Sequence, residues 1–216
     1  EFYRFGGAAN VALNIAKLGG IPFPIGVLGY DNNGMIFSSL LKEEKIQASG
    51  LMLDEKRPTT AKTRVIAQNQ HVLRIDKEKK DYINSAMQKK LLNYFNSIVD
   101  DIQGIILQDY NKGVLTPALI KNIISIARKK DVLISVDPKF NNFFEYKNVT
   151  VFKPNRKEAG DVLGFKIKTA EDIRNAGKKL LSKLHSQYVL LTLGEEGMAI
   201  FEKDKDERKM PTKADR

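Results

Sequence analysis

Val149-Thr150-Val151-Phe152-Lys153-Pro154-Asn155-Arg156-Lys157-Glu158 is the stretch that decides how this 216-residue sequence is read. Its first four residues are apolar or β-branched and predict a short buried strand. The strand must break at Lys153-Pro154, because the residue before proline is pushed out of helical geometry. Asn155 then stands where a helix N-cap would, with Glu158 three positions on. A strand therefore ends, a helix begins, and an amide, cations and a carboxylate gather at the junction. In open α/β sheets ligands bind outside the carboxyl ends of the strands, and a helix N-terminus there favours anions. An ordinary capped helix would leave the same local pattern.

Outward from this stretch the pattern repeats. Gly104-Ile105-Ile106-Leu107 reads as a short buried strand followed by Asp109-Tyr110-Asn111-Lys112-Gly113. Thr116-Pro117 opens a helix with an N-cap and an N1 proline, striped by Ile120, Ile123, Ile124 and Ala127. Val132–Val136 is the next strand and ends in Asp137-Pro138-Lys139. A helix over about 170–183 and a strand over Tyr188–Thr192 follow the central stretch. Leu193–Gly197 then turns into a strand over Met198–Phe201. Strand alternating with helix predicts an α/β domain with a mainly parallel sheet. Asp109, Lys112, Asp137, Lys139, Asn155, Glu158 and Thr192 each fall just past a strand's carboxyl end, so they should converge on one sheet edge. Carboxylates mixed with lysines there point to phosphate and metal.

Nearer the N-terminus, Gly6-Gly7-Ala8-Ala9-Asn10 leads into a helix ending at Leu18, apolar on two faces and therefore expected to be buried. Pro22–Leu28 reads as a strand and Met35–Lys45 as a helix. Thr59–Ala67 and Val72–Asp76 are extended runs joined by Gln68-Asn69-Gln70, a hairpin that puts Lys62 and Arg64 on one face. A solvated sheet edge explains those charges as well as an anion-contacting lid does. With no repeat, low-complexity tract or linker, 1–216 reads as one domain with a hairpin element at about 59–76.

Hydrophobic content of 42% and charged content of 29% are ordinary for a globular chain. No apolar run is long enough to span a membrane, and no leader pattern is visible. The absence of cysteine excludes disulfides, thiol catalysis and thiolate-bound zinc, and fits a cytoplasmic location. His71 and His185 lack ligand spacing and read as surface residues. The net charge of +10 is spread among acids, as in Lys77-Glu78-Lys79-Lys80-Asp81, without interleaved aromatics. It therefore reads as solvated faces with a preference for small phosphorylated ligands, and not as a nucleic-acid or membrane surface.

Three motifs together resemble the PfkB carbohydrate kinases, the ribokinase-like family. Gly6-Gly7-Ala8-Ala9-Asn10 resembles the family's sugar-binding glycine motif, Asn155-Arg156-Lys157-Glu158 its N-x-x-E signature, and Thr192-Leu193-Gly194-Glu195-Glu196-Gly197 its T-x-G-x-x-G turn. Within the family the likeness is nearest to the kinases of heptose 7-phosphate. Lys62–Val65, Leu73-Arg74-Ile75-Asp76, Asp109–Gly113, Asp137-Pro138-Lys139 and Met210-Pro211-Thr212 carry it in matching order. The resemblance implies a three-layer α/β/α fold with a small β lid, ATP and Mg2+ as cofactors, a sugar phosphate as substrate and a homodimer through the lid. Gly6, Gly7 and Asn10 would contact the sugar. Asn155 and Glu158 would order the magnesium waters, and Thr192 and Gly194 would lie by the nucleotide. Charge and position place Lys62, Arg64, Asp109 and Lys112 near the substrate, and Asp137, Lys139, Arg156 and Lys157 near the phosphates. The family's N-terminal strand is expected before Glu1, and its G-A-G-D motif, with the catalytic base, beyond Arg216. No catalytic base is therefore assigned within 1–216, and this stretch by itself is not expected to turn over. Some relatives carry a fused adenylyltransferase. Another sugar or nucleoside substrate, a non-catalytic binding module and a basic nucleic-acid binder stand as alternatives.

Overall fold

A computed structural model describes residues 2–67 and 70–212. The chain is described as two compact units. One comprises Glu1–Ser97 with Lys112–Leu115, the other Ile98–Asn111 with Thr116–Arg216.

In the first unit, helix α1 (Gly7–Lys17) precedes strand β1 (Gly26–Gly29), helix α2 (Asn32–Glu43) and strand β2 (Leu51–Asp54). β1 and β2 pair in parallel as a two-stranded sheet. β3 (Ala61–Ala67) and β4 (Gln70–Lys77) form the expected hairpin, antiparallel, with Lys62 opposite Asp76 and Arg64 opposite Arg74. Of its expected turn, residues 68 and 69 lie outside the described residues. Helix α3 (Ser85–Ile98) buries Met87, Leu91 and Phe95, four residues apart and so on one face.

Two expectations fail here. The strand expected over 22–28 shrinks to β1, because Pro22 and Pro24 have no N–H to give a ladder. α1 is not buried all round: only Ala9 and Ala12 are, while Leu18 is 86% exposed.

The second unit is built on a six-stranded sheet. Its strands are β5 (Gly104–Gln108), β6 (Leu133–Asp137), β7 (Val151–Phe152), β8 (Tyr188–Thr192), β9 (Met198–Glu202) and β10 (Arg208–Met210). They lie in the order β10-β9-β8-β7-β6-β5, with β5 to β8 parallel and β9 and β10 antiparallel. The fold class is thus α/β with a mostly parallel sheet, as expected. β5, expected to be buried, is an edge strand on which Ile106 stays 45% exposed. Helix α4 (Pro117–Lys129) is capped by the Thr116 hydroxyl, which accepts from the Leu119 N–H, and it buries Ile120, Ile123, Ile124 and Ala127. Helix α6 (Ala170–Leu184) packs so closely on the sheet that a Cβ on Gly177 would meet the Phe201 ring at 2.4 Å.

β7 is shorter than its apolar run because the Thr150 hydroxyl takes the Ile134 N–H at 3.0 Å. Phe152 is fully buried, edge-on to Phe143 at 4.9 Å between centroids. Burying such a side chain contributes about 2–3 kcal/mol. That anchor fixes where β7 ends, and so where the next residues stand.

Candidate active site

In the second unit, β6, β7 and β8 lie side by side and end at Asp137, Phe152 and Thr192. Pro154 stops β7, yet pairing continues one step further as a parallel bridge between Asn155 and Thr192. The Thr192 N–H donates to the Pro154 carbonyl at 3.0 Å. Helix α5 (Arg156–Leu163) starts at this point. Asn155 Oδ1 accepts from the Glu158 N–H at 2.8 Å, and Glu158 Oε2 accepts from the Asn155 N–H at 2.9 Å. This reciprocal capping box explains locally why N-x-x-E folds as it does.

Two lysines and two carboxylates complete the edge. Lys139 Nζ donates to Glu158 Oε1. Lys153 Nζ lies 3.2 Å from Asp137 Oδ2, which also accepts from Gln108 Nε2 at 2.8 Å. Burial works against the Lys139 ammonium, but the Glu158 carboxylate, with Asp137 and Tyr110 further off, holds its pKa above the usual lysine value. Arg156 reaches from α5 to Glu196 at 2.6 Å, tying the helix start to the turn after β8. That turn closes by the Leu193 N–H donating to the Gly197 carbonyl at 2.8 Å. Gly197 has φ +89, and a Cβ there would stand 2.0 Å from the Met210 carbonyl oxygen, so only glycine fits. Gly194 has φ +67 and faces open space, which leaves bare backbone beside Thr192. Lys157 is exposed.

Five of the seven strand-end residues expected to converge do so: Asp137, Lys139, Asn155, Glu158 and Thr192. The Asp109 backbone joins them, its N–H donating to the Asp137 carbonyl at 3.0 Å. Its carboxylate does not. It is buried, and it accepts from Tyr146 Oη at 2.7 Å, Asn142 Nδ2 at 3.2 Å and the Asn111 N–H at 2.7 Å. Lys112 belongs to the first unit, where its ammonium is paired with Glu78. That bond, ahead of the cost of burial, lowers the Glu78 pKa.

The other residues expected near substrate lie in the first unit. Gly6 is the N-cap of α1, and a Cβ there would meet nothing within 4 Å. Gly7 begins the helix at φ +54, and Asn10 is exposed. Lys62 and Arg64 are exposed on one face of the hairpin, and their cross-strand partners Asp76 and Arg74 share that face. Arg74 is paired with Asp76 at 3.0 Å. A shallow pocket of about 320 Å³ is lined by Arg64, Val72, Leu73 and Arg74.

Gly29-Tyr30-Asp31-Asn32-Asn33-Gly34 is not among the expected site segments, yet Asp31 there caps α2 and accepts from the Gly34 N–H at 2.9 Å. The G-x-D-x-x-G spacing at a strand-to-helix junction was the available signal. Lys153, Glu196 and Arg57 were also missed, since nothing in their spacing tells which carboxylate or carbonyl they meet.

No group of three or more His, Cys, Asp or Glu side chains that could cage a metal occurs among the described residues. The second unit's edge instead offers scattered hard oxygens: Asp137, Glu158, the Asn155 amide and the Thr192 hydroxyl. That donor set fits Mg2+, which keeps most of its waters and needs only one or two protein carboxylates.

This is the fold of the ribokinase-like kinases. Phosphofructokinase-2 from Escherichia coli, in its tetrameric inhibited form, matches with a TM-score of 0.78 at 20% identity, over 100% of this chain and 70% of that one. A ribokinase from Arabidopsis thaliana complexed with ribose and ATP matches with a TM-score of 0.74 at 19% identity, over 96% and 66%. The model of the pfkB family carbohydrate kinases matches residues 2–214, and the chain belongs to that family. The bifunctional protein HldE of a Nitratiruptor species is 42% identical over 199 residues, which are 92% of this chain and 42% of that protein. The bifunctional protein HldE of Helicobacter pylori is 42% identical over 203 residues, 94% and 44%. The chain thus spans less than half the length of these relatives. Among the described residues no helix is long and apolar enough to cross a membrane.

Proposed function

We propose that the chain is the kinase part of an enzyme that transfers the γ-phosphoryl group of ATP to the anomeric hydroxyl of heptose 7-phosphate, in the cytoplasm. The observation that carries this is the convergence of Lys139, Lys153, Asp137, Asn155, Glu158 and Thr192 on one sheet edge, tied to the Thr192–Gly197 turn. Phosphoryl transfer asks little covalent chemistry of the protein. It asks for cations on the phosphates and metal bridging them. Lys139 and Lys153 supply fixed positive charge, and the start of α5 adds its dipole. Thr192 and the open backbone at Gly194 border the nucleotide. Magnesium would be held through its waters by Asn155 and Glu158 beside Asp137, and would neutralise the phosphate oxygens.

The hairpin face of Lys62, Arg64 and Arg74 takes the substrate's own phosphate, where arginine's planar fork gives paired bonds. Gly6, Gly7 and Asn10 border the sugar. The heptose assignment is supported by the matching segments and by the identity to the two HldE proteins. Val65, Ile66, Val72, Leu73 and Ile75 are 43–64% exposed on the hairpin, apolar surface that a second copy of the chain would cover.

Equilibrium binding of heptose 7-phosphate, fructose 6-phosphate and a nucleoside, each with MgATP or an inert analogue, tests the assignment. Heptose 7-phosphate should bind tightest. A preference of about tenfold or more for either competitor, the discrimination a single pocket readily supplies, would overturn it.

A further inference from the structure

The hairpin cannot order itself. Six of the seven β3 residues are exposed, and an isolated two-stranded hairpin with both faces in water is marginal. Within one copy of the chain it is held at its base, where two charged side chains of opposite sign grip its two legs.

Asp31 takes one grip. Its Oδ2 accepts from the Thr59 N–H at 3.1 Å on the leg leading into β3, and from Lys77 Nζ at 3.3 Å at the end of β4. The Thr59 hydroxyl accepts from the Gly29 N–H at 2.9 Å, binding the same leg to the end of β1. Glycine is required where these segments meet. A Cβ on Gly29 would stand 2.5 Å from the Arg57 carbonyl oxygen, and one on Gly34 2.4 Å from the Gly29 carbonyl oxygen. Arg57 takes the other grip. It is a buried arginine whose guanidinium donates to the carbonyls of Lys79 at 3.2 Å, Asp81 at 2.5 Å and Lys112 at 2.7 Å. Buried charge is retained only where it is well bonded, and these three acceptors lie on the leg leaving β4 and on the 112–115 segment.

We propose that Asp31 and Arg57 are positioning residues: together they brace the two legs of the 61–77 hairpin and so hold the Lys62, Arg64 and Arg74 face in place for the substrate's phosphate. The second half of this rests on the reading of that face given above. Burial alone would raise the Asp31 carboxyl, but its bonds to Thr59, Gly34 and Lys77 bring it down to about 2, so the clamp stays charged at neutral pH. Neither residue touches sugar or nucleotide in this scheme. They act through the hairpin.

The test uses Asp31→Asn, Arg57→Lys and Lys77→Met, the last at an exposed position that leaves the core untouched. Amide exchange of residues 61–67 and 70–77 is measured in the ligand-free protein, with α4 and α6 as internal controls. Equilibrium binding of heptose 7-phosphate and of ATP follows, beside Arg64→Ala. Asp31→Asn should speed hairpin exchange by about tenfold, the size of a lost bond to a charged group, and Lys77→Met, which removes only the exposed ion pair, by about two- to fivefold, with α4 and α6 unchanged in both. Heptose 7-phosphate should bind more weakly by a similar factor, with ATP unaffected. Unchanged hairpin exchange in all three variants would overturn the brace, whatever the hairpin binds. Faster exchange with unaltered heptose 7-phosphate binding, while Arg64→Ala does weaken that binding, would overturn the positioning role. If Arg64→Ala itself has no effect, the reading of the face fails, and exchange alone decides the brace.

Discussion

Replacing Glu158 by Gln exchanges one carboxylate for an amide of the same shape. The capping box survives, because a glutamine oxygen can still accept the Asn155 N–H. What is lost is the pairing with Lys139, whose side chain is 37% exposed while that of Glu158 is 15% exposed. Solvent screening at Lys139 keeps the pair near the upper end of surface ion pairs, about 1 kcal/mol. For a chain of this size that is roughly 2–4 °C in Tm. The pH dependence has a definite sign. Lys139 has its folded pKa raised above 10.5, so the pair's contribution is complete below that value and disappears as pH rises through the raised one. Wild type and Glu158→Gln should therefore differ at neutral pH and converge in strong alkali. ATP affinity should lose most of its Mg2+ dependence, because the carboxylate proposed to order the metal's waters has gone. Thermal denaturation by circular dichroism across pH, with calorimetric ATP binding at several Mg2+ concentrations, checks both. A Tm loss of about 10 °C would make Glu158 a core structural residue. An unchanged Mg2+ dependence would remove it from the metal site.

Arg64→Ala should weaken heptose 7-phosphate by about tenfold or more, while the unphosphorylated heptose loses little; equal losses in calorimetry would contradict phosphate reading by the hairpin. Gly197→Ala combines positive φ with a Cβ 2.0 Å from a carbonyl oxygen, whereas Gly194→Ala meets open space. Urea midpoints should show a cost of about 2–5 kcal/mol for the first and about 1 kcal/mol for the second. Asp31 has its folded pKa lowered from 3.8 to about 2, so its stabilisation is present above 3.8 and lost as pH falls toward 2. At most about 2 kcal/mol rides on it. Asp31→Asn should flatten the acid limb of stability between pH 4 and 2 in a urea series.

The local grammar of the chain was legible. Tyr188–Thr192, the Thr116-Pro117 helix start and the Asn155 cap were readable because each is fixed by its own neighbours. Partners far along the chain were not. A carboxylate after a strand looks the same whether it faces solvent or, like Asp109, is covered by Tyr146 and Asn142 more than thirty residues later. Lys112 stands in a row of strand-end residues, yet its partner Glu78 precedes it by 34 positions. Lys153 read only as the residue that breaks a strand, because its meeting with Asp137 depends on parallel pairing of β6 with β7. Apolar periodicity in α1 overstated its burial, since periodicity shows which faces can be buried and not whether a neighbour is wide enough to cover them.

The central claim is that the carboxyl edge of β6, β7 and β8 is the nucleotide site. Amide exchange with and without MgATP addresses it directly and needs no turnover. Protection should appear at residues 153–158 and 192–197, and it should shrink when Mg2+ is withheld. Protection confined to other segments, or none at ATP concentrations far above those typical of kinases, would contradict the claim.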